Sequence, residues 1–188
     1  LLATGALDGV AKLSQCADGR QQALLLGHTG IVSSVSFSAD GTLLATGSWD
    51  KTVRLWRVRA GRLARVLHLP WAVWSVALAP DGLTLAVAGD NPSVSIFDVI
   101  TGAAWGPPLA GHQGAVNAVA YSSDGLLMAS GSEDKAVKLW SGQTHQCIAT
   151  YTGHTGAVNA VAFSPDHQRL VSAGSDNTLR LWVVKPAK

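Results

Sequence analysis

The chain has 188 residues, 47% of them hydrophobic and only 14% charged, which excludes a disordered polymer and supplies a large apolar core. Its formal net charge is +2, and the Lys and Arg residues read as scattered, so the concentrated basic stripe of a phosphate-neutralising nucleic-acid binder is not expected. Cys16 and Cys147 stand far apart and fit neither paired zinc-ligand spacing nor a dense disulfide framework. A reducing, cytoplasmic setting is expected, with the nucleus as the alternative. No apolar run approaches the roughly 20 residues that cross a bilayer, and no charged-then-apolar leader opens the sequence.

Self-similarity sets the element boundaries. Residues 1–26 are expected to form a partial unit, because Leu1–Ser14 matches Leu43–Trp56 at a shift of 42. Residues 27–68 hold the first full unit, from Gly27-His28 to Trp56 and beyond. Residues 69–110 hold a degenerate copy, recognisable over Leu69–Phe97. Residues 111–152 repeat the full pattern from Gly111-His112 to Trp140. Residues 153–188 repeat it from Gly153-His154 to Trp182, without room for an outer strand. Each of the three histidines precedes its Trp by 28 residues, and the steps between histidines are 84 and 42.

Inside a unit the pattern predicts short strands. Val158, Val161 and Phe163 lie in a half-alternating run that ends at the turn signal Ser164-Pro165-Asp166. Leu170–Ala173 follows, then a tight turn at Asp176-Asn177, then alternating Leu179–Trp182. A further strand falls before the next Gly-His, as in Cys147–Tyr151. Helical spacing is absent. A four-stranded sheet cannot bury both faces alone, and radial stacking of such sheets solves this, which predicts an all-β propeller of about four and a half blades.

Taken together, the Gly-His, the Ser-x-Asp-Gly turn and the Asp six residues before Trp resemble the WD40-repeat family across essentially the whole chain. One departure is that the Asp often found after Trp is replaced by Arg57, Ser141 and Val183; only the degenerate Phe97 is followed by one, Asp98. The resemblance implies a propeller of seven blades in which an N-terminal segment supplies the last outer strand. On that basis the sequence is expected to be the C-terminal part of a longer chain, lacking roughly two and a half blades.

The resemblance also implies a structural hydrogen-bond network in each regular blade. The sets are His28, Thr46, Asp50 and Trp56; His112, Ser130, Asp134 and Trp140; His154, Ser172, Asp176 and Trp182. Ser, His and Asp are also the residues of a hydrolytic triad, but one identical set per blade and the absence of a G-x-S-x-G elbow reject catalysis. The third copy has Leu69, Val87, Asn91 and Phe97 at these positions, and the first keeps Thr4 and Asp8 but has Ser14 for Trp. Those two copies are expected to be the less rigid ones. His68, His145 and His167 are single loop residues, expected to be solvated, and neither a metal nor a cofactor is expected.

Function is expected at the loops of the narrow end. By the resemblance, that rim carries Ile31, Ser33 and Trp49; Ala72, Trp74 and Asp90; Ala115, Asn117 and Glu133; Ala157, Asn159 and Ser175; and Leu7. Trp49 and Trp74 occupy no network position and are candidate partner-binding anchors. The alternative is that Trp74 plugs the channel and Trp49 packs on the next blade. Trp71 and Trp105 are weaker candidates, Trp105 being expected to cover a sheet edge. Asp90 and Glu133 make the rim slightly acidic, suited to a Lys- or Arg-bearing peptide. The expected function is a non-enzymatic protein-binding scaffold within a multiprotein complex. The alternative is a regulatory propeller at the end of a multidomain signalling ATPase or other enzyme, whose phosphate-binding motif would lie outside this sequence.

Overall fold

A computed structural model describes residues 1–184; residues 185–188, the end of the last expected unit, lie outside the described residues. Among the described residues there is no helix, and five antiparallel sheets follow one another along the chain. The first sheet contains β1 (Leu2–Gly5), β2 (Ala11–Ser14) and β3 (Gln21–Leu25). The second contains β4 (Val32–Phe37), β5 (Leu43–Ser48), β6 (Thr52–Arg57) and β7 (Arg62–His68). The third contains β8 (Val73–Leu78), β9 (Thr84–Gly89), β10 (Ser93–Asp98) and β11 (Leu109–Ala110). The fourth contains β12 (Val116–Tyr121), β13 (Leu127–Ser132), β14 (Val137–Ser141) and β15 (Cys147–Tyr151). The fifth contains β16 (Val158–Phe163), β17 (Arg169–Gly174) and β18 (Leu179–Val183). Every sheet is a meander in chain order, and β4, β8, β12 and β16 pack against one another in succession, as the inner strands of propeller blades do.

The period-2 alternation of the strands explains why these sheets need neighbours. On β5, Leu44 enters an apolar cluster shared with the first sheet, while Ala45 enters one shared with the third. On β9, Leu85 and Val87 face the second sheet, and Ala86 and Ala88 face the fourth. Five sheets thus enclose four buried clusters, one at each junction. No single core exists; the stability of each blade resides largely in its two neighbours.

Close approach at these junctions depends on glycine. A Cβ on Gly47 would lie 2.6 Å from Val73 of the next sheet, and one on Gly131 would lie 2.6 Å from Val158. Gly5 stands in the same relation to Val32. In the first, second and fourth sheets the second strand gives up a side chain so that the first residue of the next inner strand can seat against its backbone; the third and fifth have Ala88 and Ala173 at that position.

The inner strands are also stitched together by serine hydroxyls. Ser34 Oγ accepts the Val76 N–H at 3.1 Å, Ser36 Oγ accepts the Leu78 N–H at 3.0 Å, and Ser75 Oγ accepts the Val119 N–H at 3.1 Å.

The third sheet departs from the others at its outer edge, where β11 has only two residues. Pro107 and Pro108 cannot donate to a ladder, so the segment before β11 pairs only at single points. Ala104 bridges Phe97, and the Trp105 N–H bonds the Ile96 carbonyl at 2.7 Å. The Trp105 backbone therefore covers the edge of β10 while its ring stays about half exposed.

Candidate functional site

The Gly-His loop opens each regular blade, and its geometry follows from the residue facing it. Gly27, Gly111 and Gly153 have φ of 134°, 149° and 150°, and a Cβ on Gly27 or Gly153 would run into Arg54 or Arg180, while one on Gly111 would only touch Lys138. Arg54 lies across Gly27 and donates to its carbonyl at 2.7 Å. The following histidine is thereby turned inward, where His28, His112 and His154 are all buried.

Each histidine sits at the centre of a polar relay. In the second sheet the Trp56 indole N–H donates to Thr46 Oγ1 at 2.9 Å, and that hydroxyl meets His28 Nε2 at 2.8 Å. His28 Nδ1 meets Asp50 Oδ2, also at 2.8 Å. The fourth sheet places Trp140, Ser130, His112 and Asp134 at 2.9, 2.8 and 2.8 Å in the same order. The fifth places Trp182, Ser172, His154 and Asp176 at 2.8 Å in each step. A neutral imidazole satisfies every group: Trp donates to the hydroxyl, the hydroxyl donates to Nε2, and Nδ1–H donates to the carboxylate.

Burial lowers the pKa of His28 and of His112, and this outweighs the opposing pull of Asp50 and Asp134. Burial raises the Asp50 carboxyl, but bonds from Thr52, the Thr29 N–H and His28 overcome it and hold it at about 2. Asp134 is likewise kept below the usual carboxylate range, burial opposing and the Gln113 and Ala136 N–H groups prevailing. No hydroxyl in these relays is exposed to a substrate, and the relay is a tie between loop, turn and sheet.

The relay has members that the sequence pattern did not single out. Thr52 Oγ1 donates to Asp50 Oδ1 at 2.6 Å, and Thr178 does the same to Asp176 at 2.7 Å. Ser48 and Ser132 each donate to a glycine carbonyl of the Gly-His loop at 3.0 Å and accept the N–H of the turn aspartate at 3.1 Å. The signal was present as Ser at the third position before the repeat's Lys-x-Val, in two of the three regular copies.

In the third sheet the relay is missing, since Leu69 and Val87 are buried in the apolar cluster and Phe97 packs against it. Asn91 accepts the Ser93 N–H at 2.7 Å, but its buried Nδ2 has no partner. Amides of β8, β9 and β10 are expected to exchange with deuterium faster than those of β5, β6, β13 and β14. Equal protection in the three sheets would show that the relay adds no local rigidity.

Within each of four blades, two of the expected rim positions are joined by the same backbone bond. The N–H of the residue before the turn Asp, or its counterpart, donates to the carbonyl of the residue before the inner-strand Val. It links Trp49 to Ile31, Asp90 to Ala72, Glu133 to Ala115 and Ser175 to Ala157, at 3.0, 3.0, 2.9 and 2.7 Å. Trp49 is 53% exposed, and Asp90, Glu133 and Ser175 at the corresponding positions of the other blades are exposed too. Trp74, on β8, is partly buried and belongs to none of the four apolar clusters, whereas Trp71 packs on one of them.

Several rim side chains are engaged with the next blade. Ser33 Oγ donates to the Val73 carbonyl at 2.7 Å, and Asn117 Nδ2 donates to the Val158 carbonyl at 3.0 Å. Asn159 Nδ2, by contrast, donates within its own blade, to Ser175 Oγ at 2.9 Å. Leu7 is 79% exposed in the turn of the first sheet.

Two expectations need correction. His167 is no solvated loop residue: its Nδ1 lies 2.9 Å from Asp124 Oδ2 of the neighbouring sheet, and its Nε2 meets Ser123 Oγ. It occupies the positive-φ position, at 58°, that Gly41, Gly82 and Gly125 fill in the other copies, and from there its ring reaches across the junction. Nor are the basic residues scattered. Of the 14 Lys and Arg residues, Arg54, Arg57, Arg59, Arg62 and Arg65 crowd into a single strand–turn–strand segment, and the last four do not belong to any relay.

Among the described residues no group of three His, Cys, Asp or Glu side chains is placed to hold a metal, and no helix is long and apolar enough to cross a membrane. The family described as "WD domain, G-beta repeat" matches residues 19–57, 62–98, 107–141 and 145–183. Each match starts at or near the outer strand of one sheet and ends on or beside the third strand of the next, so the sequence repeat straddles a junction.

Among known proteins, a Periodic tryptophan protein 2 homolog of Schizosaccharomyces pombe is 45% identical over 42% of this chain and 9% of its own length. Eukaryotic translation initiation factor 3 subunit I of Debaryomyces hansenii is 29% identical over 80% of this chain and 47% of its own. A guanine nucleotide-binding protein subunit beta of Nicotiana tabacum is 30% identical over 75% of this chain and 40% of its own. The chain thus spans less than half the length of these relatives. With four matched repeats, alternating strands buried on both faces and a His–Asp–Trp relay in three sheets, the chain belongs to the WD40-repeat family.

Proposed function

We propose that the chain is a protein-binding scaffold that receives a partner segment on the rim formed by the Trp49, Asp90, Glu133 and Ser175 loops. The observation that carries this reading is Trp49 itself, a 53% exposed aromatic held by its backbone beside Ile31 and used by neither relay nor core. A large aromatic fixed at its backbone and free at its ring loses little entropy on binding, which makes it an efficient anchor. Trp74, outside the apolar clusters, serves as the second anchor on the channel side. Asp90 and Glu133 supply uncompensated negative charge, so the partner segment carries Lys or Arg. Ser33, Asn117 and Asn159 form the polar floor between these points, and Ile31 adds an apolar contact. Two of the relatives carry the word subunit in their names, which supports a place within an assembly. Cys16 and Cys147, both free and exposed, support a reducing compartment.

Affinity purification of the full-length protein tests the reading. Trp49→Ala and Trp74→Ala are each expected to weaken partner capture by about tenfold or more, and Glu133→Lys to weaken it further at low salt. Unchanged capture by all three variants would place the binding surface elsewhere.

A further inference from the structure

Of the crowded arginines on the second sheet, Arg54 donates to the Gly27 carbonyl and Arg65 to the Ile100 carbonyl, while Arg57, Arg59 and Arg62 make no side-chain hydrogen bond among the described residues. Arg57 and Arg62 are directly opposite on β6 and β7, a like-charge pair that costs stability. The register shift at Ala64 has a further effect. It pairs Arg65 with Leu55, two residues before Arg57, so Arg62 and Arg65 project from the same face of the sheet. Arg59 stands exposed in the turn between the strands. Among the described residues none of these four makes an ion pair; the one arginine that does is Arg20, with Asp18. The nearby carboxylates are taken, Asp40 by Ser38 and Thr42, and Asp98 by Thr101.

Comparison among the blades sharpens the point. The residue after the third-strand Trp or its counterpart caps the following turn in two blades, Asp98 by bonding Thr101 and Ser141 by bonding the Gln143 and Thr144 N–H groups. Arg57 occupies that position and cannot accept such bonds. It lines instead a groove of about 960 Å³, with Arg59 and Arg65, whose floor is apolar: Leu43, Val58 and Ile100.

We infer that this groove is a second docking site, distinct from the loop rim, for an acidic peptide segment of a partner protein whose carboxylates alternate with apolar residues. Arginine forks match carboxylates in pairs, and the apolar floor takes the intervening side chains. No Trp, Tyr or Phe lines the groove to stack a base, which disfavours single-stranded nucleic acid as the occupant.

The test is fluorescence anisotropy of the full-length protein with a labelled peptide of alternating Glu and Leu, its Gln–Leu counterpart, and a labelled single-stranded oligonucleotide. The Glu–Leu peptide is expected to bind at least about tenfold more tightly than the Gln–Leu peptide, with affinity falling as salt rises. Arg57→Gln with Arg59→Gln is expected to abolish that difference while leaving thermal stability equal or higher, because loss of the Arg57 charge relieves the like-charge pair with Arg62. Trp74→Ala should leave it unchanged, which separates this site from the rim. Equal affinity for the two peptides, or full binding by the double Gln variant, overturns the inference. Tighter, arginine-dependent binding of the oligonucleotide also overturns it and assigns the groove to nucleic acid.

Discussion

Trp140→Ala is expected to destabilise the chain by about 3–5 kcal/mol, well beyond the effect of Trp182→Ala. Trp140 is 2% exposed and packs in the cluster shared by the third and fourth sheets, against Ala86, Ala88, Ile96 and Met128. Its truncation opens a cavity at a junction and also removes the donor to Ser130 Oγ, so two sheets lose contact at once. Trp182 has the same relay partners, but it is only partly buried and stacks on Tyr151 with ring centroids 5.3 Å apart. There the surrounding water can occupy the space, and about 1–2 kcal/mol is expected. Trp140→Phe keeps most of the volume and isolates the indole N–H, at a cost of about 1–2 kcal/mol. Urea unfolding followed by circular dichroism measures all three. Equal losses for the Trp140 and Trp182 alanine variants would mean that burial at the junction does not set the scale.

Asp50→Ala is expected to cost about 3 kcal/mol, although it removes only a carboxylate. Asp50 accepts four bonds: from His28 Nδ1 and the Thr29 N–H on one oxygen, and from the Thr52 N–H and hydroxyl on the other. Its loss leaves the buried His28 Nδ1–H with only the Thr52 hydroxyl, at 3.1 Å, as an acceptor and unties the Gly-His loop from the turn. The same geometry makes the fold acid-sensitive in two stages. His28 and His112 have folded pKa values below 6.5, so as pH falls through that value the unfolded chain takes up protons that the folded chain refuses, and stability declines. Asp50 has a folded pKa of about 2 against 3.8 unfolded, so its contribution is present above about pH 4 and is lost between there and about pH 2. That second stage is on the order of 1–2 kcal/mol after allowance for solvent screening, and Asp50→Ala should lack its share. Urea midpoints unchanged between neutral pH and pH 3 would contradict both assignments.

The fold was legible in the sequence because each blade is local: its strands are consecutive, and Asp and Gly recur in its turns at fixed offsets. The relay was legible for the same reason, as His, Ser or Thr, Asp and Trp recur at fixed offsets. What escaped were relations between blades. His167 finds Asp124 across a junction, and nothing in its own repeat announces that partner. The arginine crowding was visible in the sequence, yet a net charge of +2 averaged it away, and the groove it lines draws residues from three sheets. The bulge at Ala64, which gathers Arg62 and Arg65 on one face, has no sequence signature of its own.

The serine hydroxyls that link the inner strands have a consequence for self-association. A strand at the margin of a sheet offers its amides as a template for a foreign chain, the first step toward fibril-like aggregates. Ser34, Ser36 and Ser75 occupy the Val76, Leu78 and Val119 amides on β8 and β12 from the adjoining blade, so these two inner strands offer fewer free amides to such templating.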